Sequence, residues 1–451
     1  MGSEAFLGDL EEYCFPSSDA VHQLAAVDSA LPPIYSRRVF IFSDIEAQGL
    51  NQSRSEAIRV LCHALHTTVE EFPVLANSVS MSSGTWKFLP GQARLHIREL
   101  PMSFEGLKNE NFATSLLKAD VLASVPGMID FEQEWDCCRF QATFIQGGLL
   151  LSVSINHLAM DGISITRVVR ALARNSCIPP KPSQENSVAA FDRSRLSSSS
   201  SVPDIAKIPA YIILSEAFDF ATRTAGSIST RMYQFTEQTL AQLKSDCSLL
   251  LPPKSWISTQ NAVCALVFRQ IIKARLAAGI LKPTDKVQYS FAVEFRNIIE
   301  PPLPADFVGN AVLFTATTFI PVCDLVAPEG LSLAAAAVRR AIQEVDAAYV
   351  DNFIAVIKSL PDPRALNFYG AVNGKTTAIT STSYKNFVMP SDWHLSLGKY
   401  EAMRLLDGGL GDGMFVIMPV RETGWEVIAT LASPAMDVFE DKEWNKYARR
   451  V

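Results

Sequence analysis

The segment SVSINHLAMDGISITRVVRALA, beginning at Ser152, places a histidine at the end of an apolar, strand-like run, with an Asp-Gly pair four residues on. An imidazole with a proton affinity near neutrality is the usual group for taking the proton from an acceptor hydroxyl as that oxygen attacks a carbonyl. His157 is therefore the candidate general base, in a step that needs no nucleophile of the protein's own. Asp161 stands where a following helix starts, so its carboxylate suits capping backbone N–H groups or pairing with a buried cation. Gly162 lets the chain turn sharply there. A lone histidine in an apolar run is more often core filling, so the rest of the chain has to decide between the two readings.

Competing chemistries leave weaker traces. GAVNGKT from Gly370 is one residue short of the phosphate loop G-x-x-x-x-G-K-T. Ser115 heads an S-x-x-K tetrad without a K-T-G partner, and its neighbours read as an amphipathic helix. His63 and His66 share a helix face but have no third ligand near in sequence, so no metal site is expected. No G-x-S-x-G occurs.

The elements that position His157 are legible from hydrophobic period. A strand is expected at RVFIF from Arg38, and two β-rich runs in RFQATFIQGGLLLSVSIN from Arg139 form a hairpin about Gly147 and Gly148. The strand that ends in His157 delivers the imidazole to the rim of a sheet, where side chains face a crevice. Helices are expected in SRSEAIRVLCHALHTTVEEF from Ser53, stopping before Pro73, in DGISITRVVRALARN from Asp161, in TEQTLAQLKSDC from Thr236, and in ISTQNAVCALVFRQIIKARLAAG from Ile257. A strand at VQYSFAVEF from Val287 and one long amphipathic helix from Leu331 complete the pattern.

The chain has 451 residues, 48% hydrophobic and 19% charged, beyond the size at which one core stops growing, so two domains are expected. The Pro/Ser-rich stretch from Cys177 to about residue 205 reads as the linker, between residues 1–176 and 206–451. A formal charge of −7, with no basic run longer than a pair, excludes a phosphate-tracking nucleic-acid surface. The eight scattered cysteines lack zinc spacing and disulfide density, and read as reduced thiols in the cytoplasm. The N-terminus MGSEAFLGDLEEYCF lacks a leader pattern, and Phe6 stands where a myristoylation signal wants Ser or Thr. The longest apolar runs are of strand length, so no membrane span is expected.

With these segments in order, the chain resembles the BAHD acyltransferases, in their fungal, trichothecene-acetyltransferase-like branch, within the superfamily of chloramphenicol acetyltransferases and condensation domains. HLAMDG, from His157 to Gly162, resembles the family's H-x-x-x-D-G. LCHALHTTVEEFPVLANSVS from Leu61 resembles its helix and F-P-x-L-A-G stretch, with Asn77 for the usual Gly. WISTQNAVCALVFRQIIKAR from Trp256 resembles the S-T-N-D-A-L helix, with Asn261 and Phe268 as departures. VEFRNIIEPPLPADFVGNAV from Val293 is close to the D-x-R…P-P-L-P…G-N segment. TSYKNFVMPSDWHLSLGKYEAMR from Thr382 stands in the place of T-S-W…D-F-G-x-G-L-G-K…R; Asp392, Gly398, Lys399 and Arg404 fit, whereas Trp393, His394, Ser396 and Tyr400 depart. His394 reads as a loop-packing or solvent-facing residue, because one base suffices.

The resemblance implies two α/β domains of mixed, mostly antiparallel sheets with flanking helices, joined by a long crossover, with a segment near residues 392–415 packing with the first domain. It implies an active-site channel between the domains, with His157 as base, acyl-CoA (acetyl-CoA foremost) as co-substrate, no permanently bound cofactor, and a small specialised metabolite as the alcohol acceptor. Asp161 would orient, paired with Arg296; the second basic residue often seen two positions later is Ile298 here, which leaves any partner of Asp392 unidentified. Thr382 or Ser383 is the candidate oxyanion donor, Ser258, Thr259 and Lys399 the candidate CoA contacts, and Gly162, Arg296, Asp392 and Gly398 the structural support. A cytoplasmic monomer is expected, with neither nucleic-acid nor membrane partner. Two alternatives stay open: a condensation-type enzyme fed by a carrier protein, whose usual H-H-x-x-x-D-G has Asn156 at the first His, and a non-catalytic binding relative.

Overall fold

A computed structural model describes residues 11–17, 24–44, 50–82, 85–127, 129, 132–177, 191–196, 199, 201–214, 227–252, 254–370 and 377–451. The expectations for the N-terminal ten residues, for most of the linker and for all but the first residue of GAVNGKT lie outside them. The chain divides into two compact units, one formed by residues 1–197, 304–310 and 387–409, the other by residues 198–303, 311–386 and 410–451.

The first unit is built on a six-stranded sheet. Its order is Glu11–Pro16, Gln92–Ser103, Cys138–Gln146, Gly148–Asn156, Tyr35–Ser43 and Lys399–Leu405. Every neighbouring pair is antiparallel except Gln92–Ser103 with Cys138–Gln146. The expected hairpin is present, turning at Gly147 with φ of +74°, a left-handed conformation that glycine adopts without strain. Strands Tyr35–Ser43 and Gly148–Asn156 are buried along almost their whole length, as the near-continuous apolar runs in both require. Helix Gly162–Ser176 buries Ile165, Val168, Val169 and Leu172, the i, i+3, i+4, i+7 stripe of its sequence. It is tied to helix Leu50–Glu71 by Asn175, which donates to Thr68 Oγ1 at 3.2 Å and to the Glu71 carboxylate at 3.0 Å.

The second unit has a sheet ordered Val312–Ala316, Lys286–Glu294, Ala378–Ser383, Met414–Ile417, Trp425–Ala432, Ile228–Phe235 and Arg449–Arg450, with Ile320–Pro321 pairing off this path. Two of its pairings are parallel and the others antiparallel. Its core stacks Tyr289 between Phe268 and Phe415, at ring separations of 5.4 and 5.6 Å. Both sheets are mixed and mostly antiparallel with flanking helices, the fold class that the resemblance implies.

Three local expectations need correction. Helix Leu50–Glu71 begins three residues before Ser53. The long helix from Leu331 is two helices, Gly330–Gln343 and Ala347–Ser359. Asp346 breaks the run by taking an extended conformation and accepting the Tyr349 N–H, a cap that outcompetes continuation of the helix. Ser115 lies on a short 3₁₀ turn, not an amphipathic helix, and Lys118 pairs with Asp407 at 2.5 Å.

The edge strand Lys399–Leu405 is held at both ends. Arg404 is buried and donates to the carbonyls of Phe112 and Asn111, each at 3.2 Å, and to that of Met403 at 3.1 Å. Gly398, at φ of +92° and ψ of −177°, lets the chain enter the strand against Ser43; a Cβ there would lie 2.1 Å from the Ser43 carbonyl oxygen. Gly398→Ala is therefore expected to destabilise the first unit by at least about 1–3 kcal/mol from the backbone conformation alone. Denaturant unfolding checks this, and an unchanged midpoint would show that the corner relaxes freely.

Candidate functional site

The strand Gly148–Asn156 ends one residue before His157, and the chain then reverses through a hydrogen-bonded turn. Asn156 organises it. Its side-chain oxygen accepts the Leu158 N–H at 2.9 Å, while its carbonyl accepts the N–H groups of Ala159 and Met160 at 3.0 and 3.4 Å. The His157 N–H donates to the Ile34 carbonyl at 2.8 Å, fixing the residue to the neighbouring strand's approach. An Asx turn of this kind is the ordinary use of asparagine where a chain must change direction.

Asp161 caps the helix that follows. It is buried and extended, and its side chain accepts the Ser164 N–H at 3.0 Å. Its own N–H donates to the Gly309 carbonyl at 3.3 Å, and the Ser164 hydroxyl both accepts from the Gly309 N–H at 3.1 Å and donates to the Gly309 carbonyl at 2.9 Å. Arg167 extends the seam by donating to the Phe307 carbonyl at 3.2 Å and to that of Ala305. The His157 turn and the 304–310 segment are thereby stitched together inside the first unit. Gly162 leaves little room for a side chain, since a Cβ would lie 3.0 Å from the Phe387 ring and 3.4 Å from an Arg38 nitrogen.

Arg38 is the element that the sequence analysis missed. It is fully buried, donates to Thr166 Oγ1 at 3.2 Å and to the Gly162 carbonyl at 3.4 Å, and lies over the Phe387 ring at 5.5 Å. The signal was present: a charge at the start of the apolar run RVFIF, in a strand buried on both faces, requires a buried partner set.

The His157 imidazole is pushed down to about 4, first by burial and then by the Arg38 charge, while Asp161 and the Met160 backbone pull the other way. The residue keeps partial solvent exposure, but its Nδ1 is shielded, and no group among the described residues meets that atom in hydrogen-bonding geometry. At neutral pH the ring is uncharged, the protonation state a base requires.

The C-terminal loop replaces its missing glycines with contacts of its own. Trp393 is buried, donates to the Pro390 carbonyl at 3.0 Å and packs edge-on against Phe42 at 5.3 Å and obliquely on Phe40 at 5.9 Å. His394 packs in the loop: its Nδ1 accepts the Ser396 N–H at 3.2 Å and bonds the Ser396 hydroxyl at 2.8 Å. Asp392 is exposed, with its carbonyl near the Cys177 thiol at 3.6 Å. Lys399 is exposed, 3.6 Å from the Glu401 carboxylate.

Ser258, Thr259, Arg296, Thr382 and Ser383 belong to the second unit. Ser258 caps helix Thr259–Ala277 in a reciprocal box: its hydroxyl accepts the Asn261 N–H at 3.1 Å, and its N–H donates to Asn261 Oδ1 at 2.9 Å. Asn261, a departure from the family pattern, thus completes the cap. Arg296 is buried, with its N–H 2.6 Å and its guanidinium 3.4 Å from the Glu294 carboxylate. Thr382 and Ser383 are half-buried near the end of strand Ala378–Ser383. Among the described residues no group of three His, Cys, Asp or Glu is placed to hold a metal; His63 and His66 are exposed, and His66 lies 3.4 Å from Glu70.

Residues 12–445 match a family model described as "Transferase family". The chain is similar to the enoyl-CoA isomerase/hydratase claC of Penicillium crustosum, 30% identical over 454 residues that cover 93% of this chain and 50% of that protein. It thus spans about half the length of that relative. It is also similar to acyltransferase BOA11 of Botryotinia fuckeliana (strain B05.10), 23% identical over 430 residues, 87% of this chain and 90% of that one. In fold it is similar to the crystal structure of F. sporotrichioides TRI101 complexed with coenzyme A and T-2, with a TM-score of 0.84 at 20% identity, covering 96% of this chain and all of that one.

The depressed imidazole has a pH signature. An unfolded His157 takes up its proton as pH falls past 6.5, whereas the folded one waits until about 4, so the stability gained by keeping it neutral is complete above that window and lost within it. In a histidine-labelled protein, the His157 ring resonance is expected to hold its neutral position down to about pH 5. A midpoint at the ordinary histidine value would show that neither burial nor Arg38 acts on the ring.

Proposed function

The chain belongs to the Transferase family, as a BAHD-type acyltransferase closely related to the fungal secondary-metabolite O-acetyltransferases, and on that premise we propose that it moves an acyl group, acetyl foremost, from acyl-CoA to a hydroxyl of a small specialised metabolite. The observation that carries this reading is His157: a neutral imidazole at a strand end, on a turn whose N–H groups from His157 to Met160 are all hydrogen-bonded. His157 takes the hydroxyl proton as the oxygen attacks the thioester carbonyl. The tetrahedral intermediate then collapses with loss of the thiolate, and the imidazolium returns its proton to that sulfur. The same burial and Arg38 charge that depress the imidazole make the imidazolium short-lived, while Asp161 moderates its cost.

Thr382 is the proposed donor to the tetrahedral oxyanion. For the CoA phosphates we infer Thr259 and the N–H groups of the first turn of its 19-residue helix, together with exposed Lys399. Both backbone and side-chain groups of Ser258 serve the cap, so its part is to hold that helix end. Asp161 and Arg296 are proposed to share one supporting role, with Gly162, Asp392 and Gly398 shaping the loops. The enzyme is inferred to act as a cytoplasmic monomer; all eight cysteines are free thiols, and among the described residues no helix is long and apolar enough to cross a membrane.

Release of free CoA thiol, measured over a panel of acyl-CoA donors and hydroxylated acceptors, tests the activity. His157→Ala is expected to lower turnover about 100- to 10,000-fold with little change in melting temperature. Asp161→Ala is expected to cost about 0.5–2 kcal/mol through the lost cap, with Arg296→Ala also destabilising and the double variant losing less than the sum. Near-normal turnover in His157→Ala would sink the mechanism.

A direct transfer also predicts that incubation with acyl-CoA alone leaves the intact mass unchanged. Burial pushes the Cys264 thiol up to about 12 and Cys62 to about 11, and raises Cys137 and Cys138 as well, so these thiols are poor nucleophiles. A stable acyl adduct on any side chain would replace direct attack with a two-step scheme.

A further inference from the structure

Three side chains from distant parts of the sequence converge behind the histidine turn, all within the first unit. Asp28 is completely buried; one carboxylate oxygen accepts the Ala25 N–H at 2.7 Å and Arg193 Nε at 2.9 Å, and the other accepts Asn310 Nδ2 at 2.8 Å. The same Asn310 nitrogen also faces the carbonyls of His157 at 2.9 Å and Leu158 at 3.2 Å, which share its second hydrogen, and Arg193 Nη2 donates to the carbonyl of Ala159 at 3.2 Å. Three successive carbonyls of the turn therefore end on two side chains that share one carboxylate. Gly309 makes space for this arrangement, since a Cβ there would lie 3.0 Å from Arg193 Nη2.

A histidine base is ordinarily oriented by a hydrogen bond at the nitrogen that does not react. His157 Nδ1 meets no partner in full hydrogen-bonding geometry among the described residues, and the backbone group that bears on the ring, Met160, lies on the same turn, so packing and the backbone that carries the ring must set its direction. Catalytic groups have to be held to within about 0.5 Å of their working geometry. We propose that Asp28, Arg193 and Asn310 form a positioning clamp for the His157 base, fixing the backbone of its turn without touching substrate.

The chemistry of each residue fits that role. Asp28 supplies two acceptor oxygens facing different partners. Arg193 reaches the carboxylate through Nε and the Ala159 carbonyl through Nη2, a fork that a lysine's single ammonium does not reproduce. Asn310 is neutral, so it bridges an anion and two carbonyls without adding a third buried charge.

This inference rests on reading His157 as the base, and the experiment keeps the two apart. Full-length Arg193→Lys, Asn310→Ala and Asp28→Asn proteins are compared by steady-state kinetics and by the ring resonances of histidine labelled at Cε1, the His157 signal being identified by its absence from His157→Ala. The clamp predicts that kcat falls about 10- to 100-fold with KM for acetyl-CoA nearly unchanged, and that the His157 resonance shifts or broadens while those of His63 and His66 stay in place. Arg193→Lys keeps the charge of the pair and carries the test if Asp28→Asn does not fold. A folded variant whose His157 resonance matches the wild type overturns the clamp, whatever its kcat. A displaced resonance with unchanged kcat supports the clamp and refutes His157 as the base.

Discussion

A buried backbone carbonyl must find a donor, and the turn that carries His157 exposes three of them in succession to a water-poor interior. That requirement shapes the first unit. Asn310 reaches the His157 and Leu158 carbonyls and Arg193 reaches that of Ala159, so the 304–310 segment and the stretch around Arg193 are both drawn to one corner. Once Arg193 is inside, its charge needs an anion, and Asp28 is there with both oxygens engaged. Gly309 and Gly162 then follow as consequences, because each close approach leaves little volume for a Cβ.

The same economy governs the electrostatics. A guanidinium buried in the Tyr35–Ser43 strand disfavours a second positive charge nearby, and His157 is accordingly held neutral. Arg38 is tolerated because a hydroxyl and a carbonyl engage its two terminal nitrogens and the face of Phe387 lies against its charge. Structural cation and candidate base are thus coupled through the field in a shielded corner.

The altered C-terminal loop shows how a motif can lose its glycines and keep its place. The ring of Trp393 fills the volume over Phe40 and Phe42, and His394 and Ser396 bond each other in a local cap, so side chains do what a flexible backbone would otherwise do. Gly398 survives in this loop because no side chain fits at φ of +92° against the Ser43 carbonyl.

The sequence by itself determined what depends on neighbours along the chain. The period-2 and period-3.6 patterns located the hairpin about Gly147, the helix after Asp161 and the helices from Thr236 and Ile257, and the ordered motifs from Leu61 to Arg404 identified the family and hence the fold class. Local cues failed where two local preferences compete, as at Asp346, whose side chain ends a helix that apolar spacing would have continued. Tertiary structure alone decided the burial of Arg38, the convergence of Asp28, Arg193 and Asn310, the role of Asn156 and the lack, among the described residues, of an Nδ1 partner on His157. These are properties of groups brought together from up to 282 residues apart. Hydrophobic period records which face of an element is apolar; it carries no information on which distant polar group will meet an orphaned carbonyl once that face is packed.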